Sequence, residues 1–340
     1  MKTGVLLINL GTPDSPATKD VRRYLTEFLN DPFVIDLPWL KRLLLVNLII
    51  IPFRAPKSAK LYKEIWTDEG SPLLVHGKAV REHLQNSLGD QFEVSLAMRY
   101  QNPSIRSVLE KMEKANYDRI IALPLYPQYA SSSTGSTIAK VKEAAERYPT
   151  LPPIRFIEHF YDHPTFIKAW VEQFSKHDIS SYDHVIFSFH GLPERHLQKE
   201  SPSGNCLTPN CCATINEGNR TCYRAHCFAT VKAIVEHVSI PESAYTVAFQ
   251  SRLGSDPWIQ PFSDEVVVQK AKDGAKNLLI ASPAFVADCL ETLYEIEIEY
   301  DELFKQHGGE KVELIKSLNE NDTWIAALKE MVNKKASEEA

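Results

Sequence analysis

The chain has 340 residues, 44% hydrophobic and 24% charged, the composition of a globular protein with room for about two domains. A net charge of −6 supplies no basic face for nucleic acid. With 13 glycines against 21 prolines there is neither a G-x-G dinucleotide fingerprint nor a G-x-x-x-x-G-K-[ST] phosphate loop, which excludes nucleotide chemistry of those two kinds.

The chain opens on VLLINL (5–10), a buried-strand run interrupted by Asn9 and Gly11 with no cleavage site after it, so it is no signal peptide. A reducing, cytoplasmic location is the expectation, with disulfides disfavoured. A helix is predicted from Pro16 to Leu29 with Ser15 as its N-cap. The most apolar stretch follows at 37–56. Asn47 and Pro52 interrupt it and Lys41, Arg42 and Arg54 flank it, which leaves it far short of the roughly 20 apolar residues a membrane span needs. Two readings stand: a core helix, or an exposed apolar lip that touches a membrane surface peripherally. Ser71-Pro72 opens a helix that Gly89 closes, and Asn102-Pro103 opens another.

FEVSLAMRY, DRIIALPLYP, HVIFSFHG, YTVAFQS and NLLIASPAF are bounded apolar runs of strand length separated by helical segments. VLLINLGTPD (5–14) lines up with VIFSFHGLPE (185–194), and IIALPLY (120–126) with LIASPAF (279–285). The expected fold is α/β: two similar Rossmann-like halves, each a mostly parallel sheet flanked by helices. The first half covers 1–165 with the apolar stretch 37–56. The second covers 166–320 with a cysteine-rich insertion at 201–227, and a helix and tail occupy 321–340.

The repeat draws attention to one difference. Where the first half has Leu10 at a strand end, the second has His190. Open α/β sheets bind ligands outside the carboxyl ends of their strands, so His190 is a functional candidate. After the last apolar run, Asp288, Glu291, Glu295 and Glu299 recur every three or four residues along one helix face. A solvated face is the plain reading of such a stripe. Its start at a strand's carboxyl end, in the half that carries His190, instead suits a divalent metal or proton transfer.

LINLGTPDSP, MRYQNP, LYPQYASSSTGS, FSFHGLPER, FQSRLGSDPWIQP and SPAFVADCLETLYEIEIEY stand in fixed order along nearly the whole chain. In these motifs the sequence resembles the ferrochelatases, which insert ferrous iron into a porphyrin to make haem. The resemblance implies a chelatase-type fold, Fe²⁺ as substrate, protoporphyrin IX as the porphyrin, protohaem as product and release of two protons. It implies that His190 and Glu291 are the catalytic and metal-site pair, and that Glu295 and Glu299 conduct metal or protons on a helix that is locally of π type. Arg54, Ser71, Arg99, Tyr126, Tyr129, Trp258 and Phe285 match residues that line or support the porphyrin pocket, and Lys57 pairs with Arg54 near the propionates. Cys289 stands where some members have a histidine, so that histidine is not essential to the chemistry. A cobalt or nickel chelatase for another tetrapyrrole and a non-catalytic porphyrin or haem carrier are the alternatives. The carboxylate-rich second position speaks against the first, and retention of both His190 and Glu291 against the second.

Five of the six cysteines, Cys206 to Cys227, fall as C-x4-C-C-x9-C-x4-C, and in a reducing compartment that density favours metal ligation over disulfides. Some bacterial members of the family resemble this pattern and carry a [2Fe–2S] cluster, for which four thiolates suffice. Cys206, Cys222, Cys227 and one of Cys211 and Cys212 form the expected set, with Cys227 the member that cluster-free relatives also have. Zinc in the same thiols is the alternative ligand. Nothing in the sequence reads as a subunit interface.

Overall fold

The computed structural model describes residues 2–201, 206–208, 210–252, 254 and 256–338. The chain divides into two compact units. One takes residues up to Tyr126, Ser131–His159 and the chain from Ile325; the other takes Pro127–Ala130 and Phe160–Trp324.

Each unit is built on a four-stranded, wholly parallel sheet. The first contains β1 (Thr3–Gly11), β2 (Phe92–Tyr100), β3 (Arg119–Pro124) and β4 (Ile154–Phe156), in the order β2-β1-β3-β4. The second contains β5 (His184–His190), β6 (Tyr245–Gln250), β7 (Asn277–Ala281) and β8 (Lys311–Leu314), in the order β6-β5-β7-β8. The two orders are the same order, so the expected α/β fold with two similar halves is what the chain adopts. β1 aligns with β5 and β3 with β7, as the paired sequence runs do.

Helices cover both faces of each sheet, which is why the central strands read as unbroken apolar runs rather than alternating ones. In the first unit Leu6, Ile8, Ala97, Ile120 and Ala122 pack against Ile105, Leu109 and Met112 of the helix Ile105–Glu113. In the second, Ile186, Ala248 and Ile280 pack against Val267, Ile296 and Phe304.

The helix predicted from Pro16 begins instead at Thr18, with Ala17 as N-cap. The Ser15 hydroxyl is engaged elsewhere, donating to Asp20 at 2.6 Å, so it does not cap. The stretch 37–56 is an exposed lip rather than a core helix. A helix over Trp39–Leu44, a π-helical turn over Leu45–Ile50 and the helix Ile51–Ile65 turn Trp39 (67% exposed), Leu48 (66%) and Phe53 (72%) outward. No helix among the described residues is long and apolar enough to cross a membrane.

Candidate active site and the cysteine-rich segment

His190 is the last residue of β5, opposite Gln250, the last residue of β6. Its Nδ1 lies 2.7 Å from the carbonyl oxygen of Gly191. A carbonyl can only accept, so Nδ1 carries a proton and Nε2 is the ring nitrogen left to take part in proton transfer. Gly191 donates its N–H to the Gln250 carbonyl at 2.7 Å. The approach is so close that a Cβ there would stand 2.8 Å from that oxygen and 3.3 Å from the Trp258 ring, hence a glycine.

The Gln250 side chain is 2% exposed and fully used. Its carbonyl accepts from Ser188 at 2.6 Å, and its amide donates to the Glu291 carbonyl and to Glu295 Oε2, both at 3.0 Å. Gln250 therefore ties the strand beside His190 to the start of the acidic helix.

Glu291 lies in the short turn Leu290–Leu293, and a π-helical turn follows at Glu295–Tyr300, marked by the Glu299 N–H bonding back to Tyr294. Cys289 caps the first turn: its backbone N–H donates to Thr292 Oγ1 at 3.0 Å, and its buried thiol is pushed up by desolvation and by the neighbouring Glu291 charge. Glu295 receives Ser251 Oγ at 2.5 Å and Tyr300 OH at 3.3 Å besides Gln250. These neutral donors only partly offset desolvation, which with the nearby Glu291 and Glu299 charges lifts Glu295 to about 7. Glu299, more exposed, is raised by burial first and then by Asp264 and Glu302.

The remaining predicted pocket residues divide between the units. In the second, Trp258 is held beside β5 by a bridge to Pro193, and Phe285 ends a turn after β7 through its N–H to the Ser282 carbonyl. The Tyr129 N–H donates to His226 Nδ1 at 3.1 Å. His226 in turn donates from Nε2 to the Arg220 carbonyl at 2.8 Å and stacks on Tyr161 with centroids 3.8 Å apart. In the first unit Ser71 accepts from Thr12 at 2.8 Å. Arg99 donates to the fully buried Asp31 at 2.5 Å, and Asp31 also accepts from Tyr100 and Ser136. Burial pushes the Tyr126 hydroxyl up. Arg54 keeps a buried Nη1 with no hydrogen-bond partner among the described residues, and Lys57 is exposed.

In the cysteine-rich segment, Cys222 is the N-cap of the helix Tyr223–Val238. Cys212 and the backbone N–H groups of Ala225 and Arg224 hold its thiol below the usual range, as expected at a helix N-terminus. Cys206 interacts with Cys222, Cys211 and Cys212, and the sulfurs of Cys211 and Cys212 are 3.6 Å apart. Arg224 donates to the Cys212 sulfur at 3.3 Å. Cys227 is fully buried and bonds the Tyr223 phenol. Among the described residues no three His, Cys, Asp or Glu side chains are already arranged to hold a metal ion. Within the insertion 201–227, residues 202–205 and 209 lie outside the described residues.

The model of the ferrochelatase family matches residues 2–336. The chain belongs to the ferrochelatase family. Ferrochelatases of Coxiella burnetii (strain Dugway 5J108-111) and Legionella pneumophila (strain Paris) are each 43% identical to it. The first aligns over 336 residues, 98% of this chain and 94% of the relative; the second over 333 residues, 98% and 99%. As a member of that family the chain is a porphyrin-metallating enzyme that puts iron into a porphyrin to make haem, and the cobalt/nickel chelatase and carrier readings are not favoured. Among solved structures it is similar to SirB from Bacillus subtilis with Fe³⁺ (TM-score 0.56, 13% identity, 99% of this chain and 96% of that one). It is also similar to the sirohydrochlorin chelatase SirB from Bacillus subtilis subspecies spizizenii in complex with cobalt (TM-score 0.55, 12% identity, 99% and 96%). At that identity the likeness is one of fold.

Proposed function

We propose that this ferrochelatase-family chain inserts Fe²⁺ into protoporphyrin IX, with His190 accepting pyrrole protons and Glu291 as its metal and proton partner. Glu295 and Glu299 extend the path for metal or protons. The observation that carries this reading is the Gln250 amide, which joins the strand end at His190 to both Glu291 and Glu295. Metallation removes two protons while Fe²⁺ sheds water, and an imidazole linked through Gln250 to a carboxylate lifted to about 7 suits proton transfer near neutral pH. Carboxylate oxygens hold Fe²⁺ without the tight grip of thiolates. A cleft that bends the macrocycle exposes its nitrogen lone pairs, a distortion worth roughly 1–5 kcal/mol. Arg54, with donor capacity left over, and Lys57 suit the propionates, while Ser71, Arg99, Tyr126, Tyr129, Trp258 and Phe285 support the ring.

Anaerobic assays with Fe²⁺ and protoporphyrin test the reading. His190→Ala is expected to lose on the order of 10²-fold or more in turnover, as for removal of a general base, while still quenching porphyrin fluorescence on binding. Near-normal turnover would remove His190 from the role. The same assay with coproporphyrin distinguishes the two porphyrins, and the exposed lip favours the more apolar one.

The mutual contacts of Cys206, Cys211, Cys212 and Cys222 support a resident [2Fe–2S] cluster on these four, with Cys227 set aside by its bond to Tyr223. This differs from the sequence expectation, which placed Cys227 among the ligands. When bound, such a cluster cross-links the segment; inserting Fe²⁺ needs no electron from it. Anaerobically purified protein is expected to show visible thiolate-to-iron bands that bleach on reduction, and colourless protein containing zinc would refute the cluster. The lip supports peripheral contact with a membrane from the cytoplasmic side.

A further inference from the structure

The peptide unit joining His190 to Gly191 is held at both ends. Its N–H donates to the Gln250 carbonyl at 2.7 Å, and its carbonyl oxygen accepts from the Tyr223 hydroxyl at 2.9 Å. Without the second bond this plane could turn, because the residue after it is a glycine, whose φ is the least restricted of any. The orientation of the imidazole depends on the same plane: Nδ1–H bonds to the Gly191 carbonyl, one peptide further on. Tyr223 is well placed to act as a fixed pin. It is the first residue of the sixteen-residue helix Tyr223–Val238, its side chain is buried, and Cys227, one turn along, bonds the same phenol. The phenol reaches the main chain of His190 rather than its ring.

We infer that Tyr223 is a positioning residue for His190: its hydroxyl fixes the His190–Gly191 peptide plane and thereby aims the imidazole for proton transfer. The inference rests on the reading of His190 as the proton acceptor. Tyr223→Phe deletes the one oxygen and keeps the ring that packs the helix start. In the anaerobic metallation assay this variant is expected to lose about tenfold in kcat, the loss equivalent to one hydrogen bond of about 1.4 kcal/mol. Its KM for porphyrin and its fluorescence-quenching Kd should stay within about twofold of the parent. In ¹⁵N-histidine NMR spectra, the imidazole resonances that disappear in His190→Ala should move in Tyr223→Phe, with those of the other histidines unchanged. A merely structural phenol would move neither the kcat/KM split nor that one resonance. Full turnover in Tyr223→Phe alongside an inactive His190→Ala overturns the inference and leaves the proposed function standing. Loss of porphyrin binding in step with turnover, with a lowered thermal midpoint, also overturns it by making Tyr223 structural. An active His190→Ala takes down both.

Discussion

Glu295→Gln keeps the shape of the Glu295 side chain and removes its charge, and the structure fixes what this should do to stability as a function of pH. The folded chain holds Glu295 at about 7, chiefly through burial, against an unfolded value near 4.5. For an acid whose folded pKa is the higher one, the native state binds the extra proton. Its favourable contribution is therefore fully present below about 4.5 and is lost as pH rises through 7. At about 1.4 kcal/mol per pH unit, the interval amounts to roughly 3 kcal/mol. The glutamine cannot ionise and escapes this loss. It does face three donors, from Ser251, Gln250 and Tyr300, with a single acceptor oxygen, so it carries a penalty that does not change with pH. The stability difference between variant and parent should consequently shift in favour of the variant by roughly 3 kcal/mol between about pH 4.5 and 8. Urea unfolding followed by circular dichroism at several pH values reads this directly, and a carboxyl titration by ¹³C NMR gives the pKa independently of two-state behaviour. Parallel stability curves, or a carboxyl that titrates near 4.5, would refute the argument from burial.

Two other outcomes follow from the first unit. Asp31→Asn leaves the Arg99 guanidinium, only 11% exposed in its side chain, without its counter-ion, and breaking such a buried pair costs about 3–5 kcal/mol. The thermal midpoint should fall well below that of the parent, with the double substitution Asp31→Leu/Arg99→Met less harmful than the single one; an unchanged midpoint contradicts the pair's importance. In the lip, Trp39→Asp combined with Phe53→Asp adds charge at side chains already in solvent and should leave the fold and its thermal midpoint intact. It should at the same time reduce co-sedimentation with anionic lipid vesicles several-fold, an effect scaling with buried apolar area. Equal sedimentation argues against a membrane role for the lip.

How much of this was legible in the sequence depends on what each element has to satisfy. β1, β3, β5 and β7 are buried on both faces, so their apolar runs announced them, and their pairing in the repeat reproduces the shared sheet order. β4 and β8, of three and four residues at the sheet edges, carry mixed polar patterns and gave no comparable signal. The lip stayed ambiguous because a run apolar on all sides says nothing about which side finds a partner; exposure is set by the rest of the fold. His190 stood out as a polar residue ending an apolar strand, and the same signal was present in YTVAFQS. Applied there, it would have found Gln250 and Ser251, both of which hold Glu295. Tyr223 gave no such warning. Its partner is a backbone oxygen 33 residues away, and a contact of that kind leaves no mark on local composition.

The two halves use one architectural device for opposite electrostatic ends. Gly11 and Gly191 follow equivalent strand positions, and each presses against the last residue of the neighbouring strand, where a Cβ would meet the carbonyl oxygen of Tyr100 at 2.0 Å or of Gln250 at 2.8 Å. The close approach brings the side chain that ends that neighbouring strand into the cluster beside the loop. In the first half this is Tyr100, whose hydroxyl donates to Asp31 together with the Arg99 guanidinium, and the acid is balanced by a cation. In the second half it is Gln250, which donates to Glu295 alongside Ser251 and Tyr300, all of them neutral. A buried carboxylate paired with a guanidinium serves to hold structure. One supported by neutral donors sits near 7 and exchanges its proton around neutral pH. In the register that the two sheets share, Gln250 is the equivalent of Arg99 and Ser251 the equivalent of Tyr100, so a neutral amide stands where the first half has a guanidinium, and the acid it meets is held by neutral donors instead of a cation.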